Sequence, residues 1–244
     1  MGLRTERHGW SSQYTGAFMP IARFGHWGPP LIYVPSSGGD EEEFARYGMP
    51  EDCRAWLDAG RVQIFAIDGR ARHNLWDEML APVERIRAYA AFERYVVREL
   101  MPWVRETASN QELGVVGASY GGFVAANLLL KHPDQLRLAA GLGGVYALWH
   151  RLDGHHDEDV YFHTPLEFLP RLEDETILDG IRATRGMALY GAAEDEWLWC
   201  TERLLHEFRN KQLPHHGEIW DAPANHHESW WKRQLRSFLG RYYG

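Results

Sequence analysis

The chain has 244 residues, 45% of them hydrophobic and 25% charged, which suits one sizeable α/β domain with ample core. Lys+Arg number 26 and Asp+Glu 34, a net charge of −8 that argues against a nucleic-acid partner and against an anionic membrane surface. Cys53 and Cys200 have neither metal-ligand spacing nor a disulfide framework, no apolar run approaches the ~20 residues of a membrane span, and residues 1–12 carry charges where a leader would be apolar; a soluble cytoplasmic protein with reduced thiols is expected.

In chain order, Tyr14, Phe18, Ile21 and Phe24 among small and polar residues predict a short antiparallel pair at a sheet edge. Residues 31–34 are a continuous apolar run of the kind that fills a central strand buried on both faces. The loop Pro35-Ser36-Ser37-Gly38-Gly39 follows, and then the acidic residues 40–43, which read as a helix start. A helix over 50–59 begins on Pro50 and stops at Gly60, and 62–67 is the next buried strand. Residues 68–82, with His73, Trp76 and Asp77, have no period and read as a surface loop in which Trp76 is a candidate pocket wall. Apolar residues at helical spacing predict one long helix over 83–107, bent near Pro102.

Residues 113–116 are then a strand, 123–130 a helix and 136–142 another buried strand. Residues 145–185 lack a period long enough for a large element and are expected to form an excursion over the C-terminal edge of the sheet, where substrate pockets often lie. Strand 187–190, helix 197–210, strand 218–220 and helix 230–243 complete the chain, with no internal repeat or linker. This alternation calls for a mostly parallel sheet with helices on both faces.

Gly117-Ala118-Ser119-Tyr120-Gly121-Gly122 sits where a strand period gives way to a helix period, the context required of a G-x-S-x-G nucleophile elbow. A serine hydroxyl is a poor nucleophile at neutral pH and needs a histidine base whose tautomer is held by a carboxylate. In this arrangement the acid follows a late strand and the base precedes the last helix. The first slot holds Glu194 and Asp195, the second His226 and His227; Ser119, Asp195 and His226 are the expected set, with Glu194 and His227 as alternates. Asp195 also fits an N-cap of the following helix. The backbone N–H of Tyr120 and one from Ser37, or alternatively Gly38, are the expected donors to a developing oxyanion. No P-loop lysine or G-x-G-x-x-G follows strand 31–34, and the pairs His155-His156, His215-His216 and His226-His227 lack a metal-binding helix pattern, so neither metal nor organic cofactor is expected.

The elbow, together with Tyr95-x-x-x-Glu99-Leu100-x-Pro102, His132-Pro133-Asp134 and His226-x-x-x-x-Trp231-x-x-x-Leu235, resembles the esterase family that includes esterase D (S-formylglutathione hydrolase), feruloyl esterases, enterochelin esterases and mycolyltransferases. It looks most like the small stand-alone bacterial members. The resemblance implies an α/β-hydrolase fold, a Ser-Asp-His triad and cleavage of a small-molecule carboxylic ester or thioester. Where that family reads His-Asp-Trp around the base, this chain reads His226-His227-Glu228, and its acid loop is one residue longer. Transfer of the acyl group to an alcohol, and a non-catalytic binding protein that retains the fold, are the competing readings. A homodimer is compatible with the sequence.

Overall fold

The computed structural model describes residues 5–69 and 75–244; His73, assigned to a surface loop, lies outside the described residues. Its frame is an eight-stranded sheet in the order β1-β2-β4-β3-β5-β6-β7-β8. The strands are β1 (Thr5–Ser11), β2 (Phe18–Phe24), β3 (Pro30–Val34), β4 (Gln63–Ile67), β5 (Gly114–Ala118), β6 (Leu138–Leu142), β7 (Met187–Glu194) and β8 (His215–Asn225). β1 and β2 form the antiparallel edge, β2 meets β4 antiparallel, and every later pairing is parallel.

The four central strands β3, β4, β5 and β6 are buried along their whole length, as their apolar runs demand. Their side chains alternate between two cores. Ile32, Val34, Phe65 and Val115 join one, with Phe123 and Val124; Leu31, Tyr33, Ile64 and Val116 join the other, with Trp231, Leu235 and Phe238.

Helices fill the connections: α1 (Glu43–Arg46), α2 (Met49–Asp52), α3 (Arg54–Asp58), α4 (Pro82–Tyr95), α5 (Met101–Ala108), α6 (Tyr120–Lys131), α7 (Glu158–His163), α8 (Pro165–Phe168), α9 (Glu175–Arg182), α10 (Leu198–Asn210) and α11 (Glu228–Tyr243). Two expected helices are interrupted. The 50–59 helix is two short pieces, α2 and α3, that meet at Cys53. The 83–107 helix passes through a π-helical stretch, Val96–Leu100, before Pro102 in the first turn of α5; proline supplies no N–H and crowds the carbonyl four residues back, so the preceding turn widens.

The 145–185 segment divides. Trp149 and His150 pack on Trp199 and Trp197, just after the acid loop, while α7, α8 and α9 pack along α4, α6 and α10. Aspartates start two of these short helices: Asp157 accepts the Val160 N–H and Asp174 those of Thr176 and Ile177.

A buried charge ties α7 to the frame. Glu93 of α4, about nine-tenths buried, accepts Lys131 Nζ at 2.9 Å and His132 Nε2 at 3.0 Å, with His163 Nε2 at 3.8 Å. Burial pushes its carboxyl up, but His132, Lys131 and His163 together outweigh that and hold it down at about 2. A depressed folded pKa gives stability that is complete above the unfolded value and disappears as the pH falls through the folded one. The Glu93→Gln variant is therefore expected to be about 3 kcal/mol less stable than wild type at pH 7, with the gap closing as the pH drops from about 4.5 towards 2. Denaturant unfolding across that range checks this; a gap independent of pH would refute it.

Candidate active site

β5 runs directly into α6 through Ser119, whose backbone sits at φ 53° and ψ −114°, a region that side-chain-bearing residues rarely adopt. The turn is possible because strand and helix touch backbone to backbone. A Cβ on Gly117 would lie 2.2 Å from the Gly121 carbonyl carbon, and one on Gly121 only 2.1 Å from the Val34 carbonyl oxygen. The elbow is therefore pressed against the end of β3 and the loop that follows it. Ser119 itself is fixed by its N–H to Leu142 O at 2.9 Å and by its carbonyl, which accepts Gly122 N–H at 3.0 Å.

On the other side of the elbow, β7 and β8 are longer than their apolar cores suggest. Strand 187–190 extends to Glu194 and strand 218–220 to 215–225, and the last register pair is Glu194 with Asn225, past a β-bulge. The next residues, Asp195 and His226, leave the sheet side by side. His226 Nδ1 lies 2.9 Å from Asp195 Oδ2, and its Nε2 3.0 Å from Ser119 Oγ. The second Asp195 oxygen accepts the Trp197 N–H at 2.8 Å in the turn before α10; the N-cap residue of that helix is Trp197 and not Asp195, which stands two residues too early. The carboxylate is almost wholly enclosed (2%), whereas the imidazole is 23% exposed. Trp231 stands edge-on to the His226 ring, 5.1 Å between centroids.

The alternates go elsewhere. Glu194 is exposed at the end of β7. His227 is exposed, pairs with Glu228 and caps α11 by accepting the Ser229 N–H. Among the described residues, Tyr120, Ser37 and Gly38 donate no backbone hydrogen bond, and Ser37 and Gly38 form the exposed apex of the loop after β3. The described residues contain no group of three metal-ligating side chains; His155 pairs with Asp157 and His156 with Glu167.

A cavity of about 320 Å³ lies between Trp76, Glu78, Arg85, His150, Arg151 and Asp153, and its wall Trp76 is what connects it to the elbow. Trp76 meets the Tyr120 ring edge-on at 5.4 Å and carries the Arg151 guanidinium over its face at 4.0 Å. His150 lies against Trp197 at 4.5 Å, and burial and then Arg151 push its pKa down. Trp76 is where the sequence puts a pocket wall, and His150 and Arg151 come from the 145–185 excursion in which a pocket is expected, although nothing in the sequence singles out these two residues there. Cys200 is buried and free, its thiol pushed up to about 12 by burial.

The family model described as "Putative esterase" matches residues 62–242. No curated protein matches the sequence. Among solved structures, the chain is similar to a ferulic acid esterase (13% identity, 99% of each chain covered, TM-score 0.77). It is similar too to an S-formylglutathione hydrolase from Agrobacterium tumefaciens (14%, 98% of this chain and 94% of that one, TM-score 0.76) and to the fluorophosphonate-binding serine hydrolase FphF of Staphylococcus aureus (13%, 98% of each, TM-score 0.73). At these identities the structural likenesses speak for the fold. The family match spans most of the chain, and with it the protein belongs to this esterase family: it is an ester hydrolase on an α/β-hydrolase fold.

Proposed function

We propose that the chain is a serine esterase that cleaves a small carboxylic ester or thioester through an acyl-enzyme on Ser119. The observation that carries this is the unbroken hydrogen-bonded line from Asp195 through His226 to Ser119, 2.9 and 3.0 Å, drawn from three separate elements. Asp195 accepts the Nδ1 proton and so leaves Nε2 free to take the proton of Ser119 as its oxygen attacks the substrate carbonyl. The Tyr120 and Ser37 N–H groups receive the charge that develops on the carbonyl oxygen. His226 then protonates the leaving group, and water activated by the same nitrogen releases the acid. No cofactor enters these steps.

Trp76 and His150 give the cavity two aromatic walls among the charged side chains of Glu78, Arg85, Arg151 and Asp153, which supports a substrate with a flat portion that also carries polar groups. The similar structures include a ferulic acid esterase and an S-formylglutathione hydrolase, one acting on an ester and the other on a thioester, and both chemistries fall within the reading. The buried thiols Cys53 and Cys200 accord with the cytoplasm as its place of work.

The test is intact mass after treatment with a fluorophosphonate. One adduct is expected on the wild type and none on Ser119→Ala. A folded wild type that takes no adduct would overturn the reading and leave a binding protein with the hydrolase fold.

A further inference from the structure

Glu43 ends an acidic run that reads as an ordinary helix start, yet the residue is only 1% exposed. Its carboxylate is turned away from solvent and under the loop that follows β3. Oε1 accepts the Ser36 N–H at 2.8 Å and the Tyr33 phenol at 2.9 Å; Oε2 accepts the Ser36 hydroxyl at 2.7 Å. Burying a carboxylate is costly unless charge-assisted hydrogen bonds replace its water, and two of the three bonds here come from Ser36.

The consequence falls on the next peptide. The Ser36 carbonyl and the Ser37 N–H belong to one planar trans unit, so fixing one fixes the direction of the other. That carbonyl accepts the Gly39 N–H at 3.0 Å, and Gly39 O in turn accepts the Gly69 N–H at 3.2 Å, at the end of β4. Gly39 has to lack a side chain, since a Cβ would lie 2.1 Å from Glu43 Oε2. With the Ser36 amide engaged by Glu43, Ser37 is the first residue of the loop whose N–H remains to be aimed outward.

We infer that Glu43 is a positioning residue for the oxyanion hole: by clamping Ser36 at both amide and hydroxyl, it holds the Ser36–Ser37 peptide so that the Ser37 N–H faces the oxygen of the reacting carbonyl. This rests on the reading of Ser119 as nucleophile and of Ser37 as an oxyanion donor. A donor of this kind acts on charge present in the transition state and hardly at all in the bound ester, so loosening its support lowers kcat and leaves KM nearly alone.

The experiment compares Glu43→Gln, Ser36→Ala and their double variant with wild type on a short-chain ester and in the rate of fluorophosphonate labelling. Val104→Ala, a truncation in the core of α5, serves as the stability control. Glutamine has the size of glutamate but one acceptor oxygen where two are in use, so part of the clamp is lost. Glu43→Gln should lower kcat by about 10- to 100-fold with KM within about threefold, and Ser36→Ala should act in the same direction. The double variant should be no worse than Glu43→Gln, because both changes remove one clamp. Labelling should slow in parallel, while Val104→Ala loses Tm and keeps its kcat.

A folded Glu43→Gln whose kcat stays within about twofold of wild type, or falls only near its own Tm as the control would, overturns the inference. If Glu43→Gln does not fold, the kcat of Ser36→Ala decides by the same criterion. Unlabelled wild type would overturn both this inference and the esterase mechanism; labelled wild type with unchanged Glu43→Gln rates would overturn this inference alone.

Discussion

Replacing His226 by alanine is expected to lower kcat/KM by on the order of 10⁴- to 10⁶-fold, while the same change at His227 leaves it within about threefold. The two imidazoles are neighbours in the chain but not in environment. His226 reaches Ser119 Oγ with one nitrogen and Asp195 with the other, whereas His227 is exposed and engaged with Ser229 and Glu228 at the start of α11. Without the His226 imidazole, nothing removes the Ser119 proton as the nucleophile attacks, and Asp195 keeps a buried charge that has lost its partner. The His227 change removes a helix cap instead, which costs about 0.5–1 kcal/mol and appears as a lower Tm. Steady-state kinetics on a short-chain ester beside thermal unfolding separates the two effects. Full activity in His226→Ala, or an inactive His227→Ala, would break the assignment.

Much of this arrangement is legible in the sequence, and the unreadable parts have physical reasons. The central strands announce themselves because both of their faces are buried, so 31–34, 62–67 and 113–116 are near-continuous apolar runs. Ser119 is legible because close packing of strand on helix demands glycine at 117 and 121. β8 is not. It is an edge strand whose residues alternate between half-buried and exposed, His216, Glu218 and Trp220 among them, and only three of its residues resemble a strand. That hidden length bears on the catalytic assignment: the Glu194–Asn225 pair decides which acid and which histidine leave the sheet together, and a one-residue slip would exchange their faces. Glu43 was invisible for a different reason, since a glutamate in an acidic run reads as solvated until a loop is folded over it.

The second large effect is expected at Asp195. Asp195→Asn should lower kcat on the order of 10⁴-fold, and Glu194→Gln should leave it within about threefold. Two donors converge on the Asp195 carboxylate, the Nδ1–H of His226 and the backbone N–H of Trp197, and each takes a separate oxygen. Asparagine offers one acceptor for two donors. If its oxygen stays on Trp197, its NH₂ faces Nδ1 and favours the tautomer with the proton on Nε2, which cannot accept the Ser119 proton. If the amide turns the other way, the Trp197 N–H faces a donor and the turn that leads into α10 weakens, while the imidazolium formed during attack still loses its compensating charge. Either orientation costs catalysis. A carboxylate that served only to hold the turn before α10 would behave differently: Tm would fall and kcat, measured well below that temperature, would hold. Retention of kcat within about tenfold in Asp195→Asn would therefore reduce Asp195 to a support for that turn. A comparable loss in Glu194→Gln would instead move the acid one residue back, onto a side chain that stands exposed at the sheet edge.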